Sequence, residues 1–157
     1  NYSRQNPKMF WDSVVVPMLE VFPTLNKAEA KSLQKDLSSR EPLPMFILNP
    51  ALIQTAQLHA LDIGRNKSPI SHNSSDGTDF GTRIKRAGIR KCANENISVA
   101  SQTVSLALVL LYLDIGLPSL GHRKALTDAN LREIGIGASR YGKDQWFLVQ
   151  DMACLQQ

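Results

Sequence analysis

Apolar residues recur at helical spacing near the start of the chain, at Phe10, Val14, Met18, Leu19 and Phe22, and predict a first helix from Phe10 to Phe22. Pro7 suits its first turn, Pro17 should kink it or end it early, and Pro23 terminates the run. Asn26 followed by Glu29 reads as a capping pair for a second helix through Leu37. Pro42, Pro44 and Pro50 mark the next stretch as extended and irregular. Asn49-Pro50 then gives a cap and a first-turn proline for a helix to about Gly64, with Leu52, Ala56, His59, Ala60 and Ile63 on its inner stripe.

Residues 65–77 are rich in Ser, Asn, Gly and Asp and read as a loop. A short basic helix from Thr78 to Ala87 follows, closed by Gly88. Asn94 to Val99 fits neither helical nor strand spacing decisively. Ser101 to Asp114 is apolar all round and predicts a buried helix. Gly116, Pro118 and Gly121 break the chain before a turn around His122 to Leu126. Residues 133–138 and 145–151 read as strands joined by a hairpin at Tyr141–Asp144. Helices first and antiparallel strands late imply an α+β domain, helices packed on a small, mainly antiparallel sheet.

Composition narrows the class. The chain has 157 residues, 43% hydrophobic and 20% charged with the signs interspersed, which suits one folded domain over residues 1–157 and excludes a disordered chain. The net charge of +4 favours acidic partners weakly. Its basic residues cluster from Arg83 to Lys91, but no aromatics interleave with them, so the cluster reads as a solvated helix face and not as a nucleic-acid site. The longest apolar run, Leu106 to Leu113, stops at Asp114 and is too short to span a bilayer. The chain starts at Asn1 with no signal segment, as a processed or truncated chain would. Cys92 and Cys154 allow one bridge in an oxidising compartment, or two buried thiols.

Phosphate-loop, zinc-protease and serine-esterase signatures are absent. Gly135-Ile136-Gly137 lacks the third glycine and following helix of a nucleotide site and is strand texture. What remains are polar residues in loops or at element ends: Ser71-His72, Asn94-Glu95-Asn96 and Gly121-His122-Arg123. Each also has a plain structural reading. His72 can bond local backbone, His122 can cap a turn, Glu95 can tie loop N–H groups together and Arg123 can pair with a carboxylate. His59 reads as a satisfied histidine on a helix face, and Asp76 before Gly77 as a turn residue. Trp146 and Phe147 read as core and strand-face residues.

In order along the chain, Asn1-Tyr2-Ser3-Arg4, Leu58 to Asp62, Ile70-Ser71-His72 with Asp76-Gly77, Glu95-Asn96-Ile97, Gly121-His122-Arg123 and the two closing strands resemble the motifs of the CAP (cysteine-rich secretory protein, SCP-like) superfamily, in its bacterial form. The resemblance implies an α-β-α sandwich with an open cleft to which His72, Glu95 and His122 contribute. Two departures stand out. Asn94 replaces the common glycine before the glutamate, and Val104 to Leu113 offers no second glutamate, leaving Asp114 as the nearest acid. The resemblance further implies a secreted or envelope-associated module that binds a lipid, another small amphiphile or a cell-surface component. A divalent metal such as Zn²⁺ held by His72 and His122 belongs to the same expectation. The alternatives are a metal-assisted, peptidase-like hydrolase and a purely structural domain. No nucleophile is evident, so binding ranks above catalysis.

Overall fold

The computed structural model describes residues 1–100 and 103–156. They form two compact units, each built from two separate stretches of chain: Asn1–Met45 with Val104–Ala129, and Phe46–Thr103 with Asn130–Gln157.

The first unit is helical: α1 (Tyr2–Gln5), α2 (Pro7–Phe10), α3 (Val16–Val21), α4 (Ala28–Ser39), α7 (Val104–Leu113) and α8 (Gly121–Leu126). The first predicted helix is longer and less regular than expected. Between α2 and α3, Trp11–Val15 form a π-helical turn that ends two residues before Pro17. A proline cannot donate to the carbonyl four residues back and its ring crowds that carbonyl. The wider turn before Pro17 absorbs the mismatch without ending the helix. The expected Asn26–Glu29 cap does not form. Pro23–Leu25 make a 3₁₀ turn, Lys27 becomes the N-cap of α4, and Glu29 instead accepts from the Gly116 N–H. Buried Phe10 packs on Tyr112, ring centres 5.0 Å apart, and the Tyr112 hydroxyl donates to Ser3. Arg4 is also buried, with its guanidinium on the carbonyls of Pro44, Leu126 and Asp128.

The second unit is a sheet with helices on it. It holds α5 (Pro50–Asn66), α6 (Phe80–Arg86), and strands β1 (Ile47–Leu48), β2 (Ala93–Ala100), β3 (Glu133–Tyr141) and β4 (Gln145–Ala153) in the order β1-β3-β4-β2. The Asn94–Val99 segment is therefore a strand, antiparallel to β4. Within the proline-rich stretch Ile47–Leu48 pair parallel to β3, so the sheet is mixed although mainly antiparallel. The α+β class is the one the sequence predicts. The cap on α5 forms as expected, with Asn49 Oδ1 accepting from the backbone of Ala51 and Leu52. Ala56, Ala60 and Ile63 of α5 pack on Phe147 and Val149, joined by Ile97, Val99 and Tyr141. Gly135 and Gly137 have a purpose beyond strand texture. A Cβ at either would run into the α5 backbone, at Leu52–Ile53 and at Ala56–Gln57.

Of the predicted helix Ser101–Asp114, Ser101 and Gln102 lie outside the described residues, and α7 runs from Val104 to Leu113. Among the described residues no helix is long and apolar enough to cross a membrane. Cys92 and Cys154 are joined by a disulfide, Cα atoms 5.4 Å apart, within the second unit.

Candidate functional site

Two histidine–carboxylate pairs stand out, one in each unit. In the sheet unit, Glu95 points from β2 toward α5 and α6, sharing strand parity with Ile97 and Val99. Its carboxylate is buried, with a side chain 1% exposed, and His72 reaches it from the polar loop with Nδ1 2.8 Å from Oε1. Arg83 donates to Oε2 at 2.6 Å. The other terminal nitrogen of Arg83 bonds the His72 carbonyl at 2.7 Å, so one guanidinium holds both the acid and the loop carrying the histidine. Arg83 is thus turned inward, against the expectation of a wholly solvated basic face. Asp79 makes this possible by capping α6 through the Thr82 N–H.

His59 is closer to this cluster than its place on a helix suggests. Its Nε2 donates to the Ser71 carbonyl at 3.0 Å and lies 4.0 Å from Glu95 Oε2. Its Nδ1 is buried with no partner among the described residues, so the histidine is only half satisfied. Ser71 is committed locally, its Oγ accepting from the Asn73 N–H, and further along the loop Asp76 accepts from the Thr78 N–H. Asp151 faces Glu95 as its register partner in β4 and takes a 2.7 Å hydrogen bond from Thr55.

The electrostatics follow from burial and partners. Burial pushes Glu95 up, but the bonds from His72 and Arg83 and the charges of Arg83 and His59 outweigh it and hold the carboxyl below its usual range. Burial lowers His59, only partly countered by the charge of Glu95. Burial pushes Asp151 up to about 7, reinforced by the charge of Glu95.

In the helical unit, Asp114 follows α7 with a left-handed backbone, φ 53°, which an aspartate tolerates better than most residues. That turn brings its fully buried carboxylate to His122 Nδ1 at 2.5 Å and to the Arg123 N–H at 2.9 Å. Asp114 is therefore the acid that engages His122. His122 does not supply the cap of α8, a position occupied by Leu120. Among the described residues Arg123 pairs with no carboxylate through its guanidinium, which instead bonds the Tyr112 and Glu29 carbonyls and Ser32 Oγ. Beside Asp114 lies a cavity of about 330 Å³, lined mostly by apolar groups including Leu117, Pro118 and Leu120.

Sequence reading named His72, Glu95, His122 and Asp114 and missed Asp151, Arg83 and Thr55. Asp151 carried a readable signal: it alternates with Phe147 and Val149, which places an acid on the buried face of a strand. Nothing in the run of basic residues distinguishes Arg83 from its neighbours. Among the described residues no three His, Cys, Asp or Glu side chains form a group that could hold a metal ion.

Residues 33–152 match the model of the cysteine-rich secretory protein family, CAP. The chain belongs to that family. Among solved structures, this CAP chain is similar to an extracellular protein containing an SCP domain from Bacillus anthracis, at 27% identity and a TM-score of 0.55 over 72% of the chain. It spans about a third of that protein's length, 35%. It also shares the fold of an outer surface protein from Borrelia burgdorferi, with 21% identity, a TM-score of 0.58, and coverage of 88% of this chain and 92% of that one. A comparison with curated proteins finds no match.

Proposed function

We propose that this CAP chain is a secreted or envelope-associated module that binds a small amphiphile, with the histidine–carboxylate pairs His72–Glu95 and His122–Asp114, one in each unit, as its candidate polar groups. The observation that carries the reading is the same device in both units: each imidazole is held at Nδ1 by a buried carboxylate, at 2.8 Å for His72–Glu95 and 2.5 Å for His122–Asp114. A carboxylate on one ring nitrogen fixes the tautomer and the aim of the other. The apolar cavity beside Asp114 suits the non-polar part of such a ligand. The disulfide and the extracellular and surface relatives support placement outside the cytoplasm.

Native mass spectrometry after incubation with a lipid extract tests the proposal. An added mass is expected on the wild type and its loss on His122→Ala. A clean apo spectrum across broad lipid classes removes it. Comparing His72→Ala with His122→Ala then shows which of the two pairs meets the ligand.

A second reading, a metal-assisted hydrolase, rests only on the general tendency of a carboxylate on Nδ1 to orient an imidazole toward a metal such as Zn²⁺, since among the described residues neither pair is joined by further side chains into a metal-holding group. A serine nucleophile has no support, as Ser71 is occupied with its own turn. Calorimetric zinc titration decides: binding abolished by His72→Ala with His122→Ala supports this reading, and unchanged or absent heat removes it.

A further inference from the structure

Asp151 lies on the face of β4 that carries Phe147 and Val149, and it is completely buried. Its Oδ2 is taken by Thr55 of α5. Its Oδ1 is buried too and has no donor among the described residues. The other polar neighbour of the carboxyl is Glu95, its cross-strand partner, within side-chain hydrogen-bonding reach. Two ionised carboxylates offer only lone pairs, so neither can satisfy the other.

The elements around the pair do not relieve this. From α6 comes one cation, Arg83, already on Glu95 at 2.6 Å. From α5 comes His59, whose Nε2 hydrogen goes to Ser71 and whose burial favours the neutral ring. The loop contributes His72, bonded to Glu95 Oε1. On the other side β3 presents Gly135, which brings no charge. One cation facing two buried acids leaves a negative charge unanswered, unless one acid keeps its proton.

We infer that Asp151 keeps its proton in mildly acidic solution, well above the range of an ordinary carboxylate, that this proton sits on Oδ1 and is donated to Glu95, and that Asp151 thereby acts as a positioning residue for the Glu95–His72 pair. This assignment gives the orphaned oxygen a partner and leaves one carboxylate for one guanidinium. Thr55 remains free to donate to Oδ2. The inference goes beyond the proposed ligand binding and holds whether or not His72 meets a ligand.

The test is carbon-detected NMR of the wild-type chain, labelled at the Asp and Glu carboxyl carbons, across pH about 4.5 to 9. The Asp151 carboxyl is expected to keep the shift of a protonated acid in mildly acidic solution and to titrate near 7. The Glu95 signal should move in the same step. An Asp151 carboxyl already ionised at pH about 5 to 6 overturns the inference.

A second measurement compares stability with Asp151→Asn, whose amide can donate to Glu95 and accept from Thr55 but cannot titrate. The folded wild type holds a proton that the unfolded chain releases near its ordinary value of 3.8, so its stability should fall relative to the variant as pH rises from there toward 7. A difference that stays flat over that window also overturns the inference. If the variant fails to fold, the wild-type titration alone decides. Loss of amphiphile binding with the carboxyl titration intact would remove the proposed function and leave this assignment standing.

Discussion

Arg83 ties the site of the sheet unit together, donating to Glu95 at 2.6 Å and to the His72 carbonyl at 2.7 Å. It is the cation facing a Glu95 side chain that is 1% exposed, and it is itself only 11% exposed. Removing one partner of such a pair strands the other charge in a poor dielectric, at a cost of about 3–5 kcal/mol. Arg83→Ala should therefore lower stability by that order in urea denaturation, and Glu95→Gln added to it should recover part of the loss. A double variant no more stable than Arg83→Ala would show that the stranded charge is not what costs. The pH dependence has a definite sign. Glu95 is depressed when folded, so its contribution is present above the ordinary value of 4.5 and is lost as pH falls through the folded value. His59 is likewise depressed, so folding is penalised as pH drops below 6.5 and the unfolded ring takes up a proton that the buried ring refuses. At this scale the sequence is legible where motif order marks a position, as with Glu95 and His72. It is not legible for Arg83, because a run of basic residues does not say which one turns inward.

Elements were read well where hydrophobic period and end signals agree, as in α5 with its Asn49-Pro50 start. They were read poorly where the deciding partner is distant in sequence. The β2 segment mixes polar Asn94, Glu95 and Asn96 with apolar residues, and only pairing with β4 settles it as a strand. The Gly135-Ile136-Gly137 texture was visible, but its cause was not, since the cause is the backbone of a helix some eighty positions earlier. That contact makes a prediction. Gly137→Ala would drive a methyl group into Ala56–Gln57 of α5, where backbone and not a flexible side chain must yield. The expected cost is about 1–3 kcal/mol, with faster amide exchange in α5 and β3. An exposed control is Gly77→Ala, whose Cβ would meet no atom within 4 Å but whose φ of +85° penalises any side chain. Local turn strain there should leave exchange in α5 unchanged. Equal effects on α5 from both substitutions would mean that close approach is not the reason for glycine at 137.

At the scale of the whole chain, neither compact unit is continuous in sequence. The sheet unit is interrupted by Val104–Ala129, which belongs to the helical unit. Sequence patterns report local periodicity, so they could not show that the two histidine pairs would be built separately, each around its own buried acid. The same discontinuity gives the disulfide its importance. Cys92 lies just before β2 and Cys154 just after β4, and the backbone N–H of Cys154 also bonds the Cys92 carbonyl at 2.9 Å. The bridge thus fastens the two stretches of the sheet unit at one end of the β2–β4 pair, across a sequence separation of 62. In the unfolded chain it closes a long loop, and a loop of that size restricts the unfolded ensemble enough to stabilise the fold by about 2–4 kcal/mol. Replacing both cysteines by serine should lower the urea midpoint accordingly with the slope altered, because the unfolded state becomes more expanded. Thiol titration of the unfolded, unreduced wild type should find no free sulfhydryl. If instead the serine pair unfolds at the wild-type midpoint, the β2–β4 ladder and the α5 packing suffice to hold the two stretches together, and the bridge is dispensable to the fold.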